Sequence, residues 1–144
     1  MRAKPAAIYV DASCILRLLF ATAGARAPLT GTVATSSTLV EVEAFRTLER
    51  IRLAGELNDL ELARKHRELS ELLGRLHLFP VSDEVIHRAR SPFSLPVRAL
   101  HALHAATALL VLAEAKSLEF WTHDEAQAAA AITIGLEVRG LKSA

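Results

Sequence analysis

The stretch Ile8-Tyr9-Val10-Asp11-Ala12-Ser13 constrains this chain more than any other. Three β-prone apolar residues stop at a carboxylate, and small and hydroxyl residues able to open a helix follow. Taken alone, this junction reads as a strand running into a capped helix, with Asp11 or Ser13 as the cap. The alternation then repeats. Strands are expected over residues 6–10, 32–36, 76–81, 118–122 and 136–138. Between them, helical periodicity covers residues 13–21, a long segment capped by Ser37 and running to 54, residues 83–90, and the very apolar segment 97–116. Asn58-Asp59-Leu60-Glu61 and Asp124-Glu125-Ala126-Gln127 have capping-box form, opening helices that end near Gly74 and Gly135. A loop is expected over residues 21–31, which hold Gly24, Pro28 and Gly31. Strands alternating with helices predict an α/β fold, a three-layer sandwich around a mostly parallel sheet of four to five strands.

The 144 residues suffice for one domain, spanning 1–144, with a real core. Lys and Arg number 17 against 16 Asp and Glu, so net charge does not by itself advertise a nucleic-acid partner. A single cysteine, Cys14, excludes an internal disulfide and fits a reducing, cytoplasmic compartment, with the thiol as core filler. Met1-Arg2-Ala3-Lys4 and Ala21-Thr22-Ala23 have a faint signal-peptide character. Asp11 and Arg17 interrupt the apolar stretch between them, so it reads as strand and helix. The apolar run 105–113 is too short to span a bilayer, and no membrane partner is expected. Arg64-Lys65-His66-Arg67 reads as a solvated charged face.

Acids recur at the strand ends. Asp11 ends the first strand, Glu43 lies in the second turn after the second strand, and Asp124 follows the fourth. With right-handed crossovers, all three lie towards the carboxyl edge of a parallel sheet. Gathered carboxylates repel one another unless a cation intervenes. Magnesium or manganese accepts oxygen ligands, keeps waters and bridges to phosphate. Such an ion lowers the pKa of a bound water and stabilises charge on a scissile phosphate, which points to phosphodiester hydrolysis.

Four ordered segments resemble the motifs of PIN-domain proteins. They are Tyr9-Val10-Asp11-Ala12-Ser13, Ser37-Thr38-Leu39-Val40-Glu41-Val42-Glu43-Ala44-Phe45-Arg46, Arg98-Ala99-Leu100-His101-Ala102-Leu103-His104-Ala105-Ala106-Thr107-Ala108-Leu109 and Trp121-Thr122-His123-Asp124-Glu125. The resemblance covers nearly the whole chain and is closest to VapC-type ribonuclease toxins of toxin–antitoxin pairs. It implies a PIN-like fold and a Mg2+- or Mn2+-dependent endoribonuclease acting on structured RNA such as tRNA or ribosomal RNA. Asp11, Glu43 and Asp124 match the family's acids and would hold the metal. Ser13 matches a small polar position next to the first acid, Thr122 a hydroxyl position beside the metal, and Arg46 an arginine that follows the second acid. The resemblance also implies a homodimer and a cognate antitoxin, which fills a groove walled by the first two helices and places a basic residue in the acidic site.

One position departs from that pattern. His101 stands where the family usually has Asp, which removes a negative charge from the site. An imidazole ligates manganese, cobalt or zinc, whereas magnesium prefers oxygen. His101 therefore leaves three outcomes open: a shifted metal preference, weakened catalysis, or a module that binds RNA and antitoxin without efficient cleavage. Glu41 competes with Glu43 for the second acid but lies two positions away, off that helix face. His101 and His104 share a face at i,i+3 and offer a transition-metal pair, against which stands a polar packing role for His104. His123 reads as a loop residue. A phosphate-accepting Asp11, as in receiver domains, is a third reading, opposed by the lack of a suitable Lys near the last strand. No Ser–His–acid set, phosphate-cradling glycine loop or zinc-spaced cysteine pattern is present.

Overall fold

A computed structural model of the chain describes residues 3–20 and 29–141. Most of the loop expected over residues 21–31 lies outside the described residues, as does the last residue of the first expected helix. Five strands form one sheet: β1 (Ala7–Val10), β2 (Val33–Ser37), β3 (His77–Phe79), β4 (Leu118–Trp121) and β5 (Glu137–Arg139). Its order is β3-β2-β1-β4-β5, and every pairing is parallel. The sheet is thus wholly parallel, as βα alternation requires. Among the described residues, six helices connect the strands: α1 (Ala12–Leu19), α2 (Leu39–Leu53), α3 (Asp59–Gly74), α4 (Asp83–Arg90), α5 (Ala99–Ala115) and α6 (Glu125–Thr133). Among the described residues, no helix is long and apolar enough to cross a membrane.

The strand period of two divides the core. Ile8 and Val10 point to one face and pack with Cys14, Ile15, Ala44, Leu48 and Leu69 from α1, α2 and α3. Ala7 and Tyr9 point to the other face and pack with Ala108, Val111, Phe120 and Ala131, the helical members coming from α5 and α6. Burial on both faces is why β1 reads as an unbroken apolar run. Cys14 is fully buried, and burial pushes its thiol well above the usual range.

Local signals set the helix starts. Asn58 and Glu61 form the reciprocal capping box expected for α3. Ser82 caps α4 by accepting from the Val85 amide at 3.2 Å. At α2 the cap position is Thr38, one residue later than expected, while Ser37 Oγ accepts from the Leu39 amide at 3.1 Å. The basic stretch on α3 is more than a solvated face. Lys65 Nζ donates to the Leu19 carbonyl at 2.8 Å, satisfying an acceptor at the end of α1, and lies 5.3 Å from the Phe20 ring centroid.

From β1 the chain builds outward through β2 to β3, then crosses back through α4 and α5 to β4 on the other side of β1. The direction of winding reverses between β1 and β4. In open α/β sheets, ligands bind outside the carboxyl ends of the strands at such a switch point. Asp11 directly follows β1, and Thr122, His123 and Asp124 directly follow β4.

Candidate active site at the switch point

Asp11 caps α1 and is only 4% exposed. Its Oδ1 accepts from Ser13 Oγ at 2.6 Å and from the Cys14 amide at 3.2 Å. Thr122 Oγ1 donates to Oδ2 at 2.5 Å. Burial pushes this carboxyl above its ordinary value of 3.8, and the Ser13 and Thr122 hydroxyls, His104 and the Cys14 amide pull it back. One side chain therefore caps the helix and lies at the switch point. Ser13 Oγ also ties the start of α1 to the segment after β4, accepting from the His123 amide at 2.9 Å, while Thr122 Oγ1 accepts from the Asp124 amide two residues on at 3.0 Å.

Glu43 projects from α2 to α5, where His104 Nε2 donates to its Oε1 at 2.6 Å. Glu41 is exposed on the same helix. Asp124 caps α6 by accepting from the Gln127 amide at 3.1 Å, and its Oδ2 lies 3.5 Å from His101 Nε2. The second half of the capping box expected here does not form. Gln127 is 1% exposed, and its Nε2 donates instead to the His101 carbonyl at 3.0 Å. That bond locks α6 to the first turn of α5.

His101 and His104 each meet a different carboxylate. A cavity of about 400 Å³ opens beside the His101–Asp124 pair, walled by Leu95, Pro96, Val97 and Arg98. Arg46 is exposed on α2. Among the described residues, no group of three or more His, Cys, Asp and Glu side chains is arranged to hold a metal ion. The donors present still suit a hard cation. Magnesium is usually held by one or two carboxylates together with waters and substrate phosphate, rather than by an all-protein cage. Burial raises the pKa of Asp11, and a cation beside it would favour its charged form.

One neighbour of the site is glycine for a steric reason. Gly140 follows β5 at φ +102, and a Cβ there would stand 2.6 Å from the Thr122 carbonyl oxygen. Its own carbonyl accepts from His123 Nδ1 at 2.7 Å. Gly140→Ala is expected to cost about 1–3 kcal/mol, because both the left-handed backbone and the contact oppose it. Thermal unfolding of the variant checks this.

Sequence reasoning missed the link between Tyr9, His104 and Glu43. Tyr9 is fully buried, and its hydroxyl lies 2.7 Å from His104 Nδ1. The only signal was a pair of polar-tipped residues in otherwise apolar runs.

No protein-family model matches the sequence, and no curated protein matches it. Among solved structures, PAE2754 from Pyrobaculum aerophilum is similar over 91% of this chain and 82% of its own, with a TM-score of 0.62 and 21% identity. A member of the VapBC family of toxin-antitoxin systems, VapBC-5 from Mycobacterium tuberculosis, is similar over 96% of this chain and 100% of its own, with a TM-score of 0.50 and 20% identity. At these identities the likeness is one of fold, and the fold is the PIN-like three-layer α/β sandwich that the four motifs anticipated.

Proposed function

We propose that this protein is a Mg2+- or Mn2+-dependent endoribonuclease, the toxin of a type II toxin–antitoxin pair, hydrolysing phosphodiester bonds of tRNA or ribosomal RNA. The observation that carries the reading is the Asp11 carboxylate, buried at the switch point and cradled by Ser13 and Thr122. Its sharing a fold with a VapBC family member supports the toxin assignment. Asp11, Glu43 and Asp124 are the residues that would hold the ion. When bound, it supplies charge stabilisation at the phosphate and a water of lowered pKa. The chain's own residues do the rest. Ser13 and Thr122 orient the Asp11 oxygens, His104 holds Glu43, and His101 brings an N–H to the rim of the cavity beside Asp124. In the hydrolysis, water oxygen bonds to phosphorus, the bridging P–O bond breaks, and the leaving oxygen takes a proton. The reading includes a homodimer, a cytoplasmic location, and a cognate antitoxin docking along α1 and α2, where Val42 and Leu53 stay exposed.

A second reading has one observation in its favour. His101 stands against Asp124, where the resemblance leads one to expect an acid. The chain would then bind RNA and antitoxin without efficient cleavage. Incubating antitoxin-free protein with a tRNA and ribosomal RNA pool, in Mg2+ or Mn2+, separates the two. The parent is expected to cleave and Asp11→Asn to be silent. Activity in His101→Asp but not in the parent establishes the binding module. Silence from parent and His101→Asp alike overturns the nuclease reading.

A further inference from the structure

Resting on the nuclease reading, we propose that His104 is a positioning residue, anchored by Tyr9, that fixes the Glu43 carboxylate with one oxygen committed to the protein and the other left for the cation and RNA. The geometry is a three-member relay through the core: Tyr9 hydroxyl to His104 Nδ1 at 2.7 Å, then His104 Nε2 to Glu43 Oε1 at 2.6 Å. A carboxylate only accepts, so Nε2 carries the proton that binds Glu43. A phenol O–H can donate to a bare Nδ1, so one tautomer satisfies both neighbours. Ring position is set as well as protonation: His104 is 2% exposed, and Tyr9 meets it edge-on at 5.9 Å between centroids.

Glu43 needs such a holder. Its side chain is 24% exposed and reaches across from α2 to α5, with the imidazole as the partner that meets it there. Left unheld, a glutamate samples many rotamers, and ordering it would oppose ligand binding. Held by the imidazole, it presents Oε2 without that cost. Groups that orient a metal-binding carboxylate in this way typically contribute 10- to 100-fold, roughly, to metal affinity or activity. A core histidine serving packing alone predicts something different: lost stability with unchanged ion affinity in whatever remains folded.

The test uses the parent, His104→Ala, His104→Gln and Tyr9→Phe, each checked for folding by thermal unfolding. Mn2+ affinity is measured without RNA by calorimetric titration, and kcat and KM are measured on the RNA that the parent cleaves. His104→Ala is expected to weaken Mn2+ binding and lower kcat by about 10- to 100-fold, with KM moving far less. His104→Gln, which retains an N–H donor, is expected to recover much of both, and Tyr9→Phe to show a smaller loss of the same kind. A folded His104→Ala protein in which neither quantity moves by more than about twofold would overturn the role while leaving the nuclease intact; if that variant does not fold, the same result in a folded Tyr9→Phe protein does so. A parent that binds no Mn2+ and cleaves nothing overturns the nuclease reading, and this role with it.

Discussion

Asp11→Asn is expected to lower RNA cleavage by about 100-fold or more, since several kcal/mol of charge stabilisation is lost and each 1.36 kcal/mol is roughly tenfold. The substitution is close to isosteric, so the effect is chemical. Two hydroxyls and an amide converge on the two oxygens of Asp11. An amide NH2 in place of one oxygen turns an acceptor into a donor facing another donor. A pH series of urea denaturations provides an independent check. Burial raises the Asp11 pKa above 3.8, so just above that pH the folded state keeps a proton that the unfolded chain has released. Stability from this group therefore falls as pH rises from 3.8 through the raised value. Asn has no such proton, and that part of the slope should vanish in the variant. A single-time-point cleavage assay would miss this; initial rates across Mn2+ concentrations are needed.

Phe120→Ala is expected to cost about 3–5 kcal/mol, as large aromatic truncations in a core do. For a chain of this size that is a fall of about 10–15 °C in Tm. Phe120 is fully buried on β4, next to the central strand, and stacks on Tyr9 at 5.1 Å between centroids and 17° between planes. Its removal opens a cavity beneath the ring that anchors His104. Cleavage at temperatures where the variant stays folded should therefore fall too, which calorimetry and initial rates measured on the same sample would separate.

The fold was legible because its signals are local. The Asn58–Glu61 box, the Ser82 cap and the apolar run of β1 act within a few residues of themselves. The site was legible only in outline. Strand ends and helix starts put Asp11 and Asp124 at one edge of the sheet, and the structure adds that the winding reverses there. The pairings were out of reach. Glu43 and His104 are 61 residues apart and Tyr9 and His104 are 95 apart, so neither leaves a periodic trace. Gln127 shows the same limit in reverse: its spacing from Asp124 promised a local reciprocal cap, and a buried carbonyl on α5 claimed it instead. Tertiary demand overrode a local preference worth about 1 kcal/mol.

Cys14 gives this protein a built-in clock. Its thiol is fully buried, its pKa is raised, and its backbone amide is clipped to Asp11 Oδ1. An alkylating reagent reaches that sulfur only after an opening that uncovers the first turn of α1. The labelling half-life under native conditions therefore reports how often this junction comes apart. Any ligand that stays bound only while Asp11 is in place should lengthen that half-life by a factor of one plus the ratio of its free concentration to its Kd, whether or not it is ever turned over.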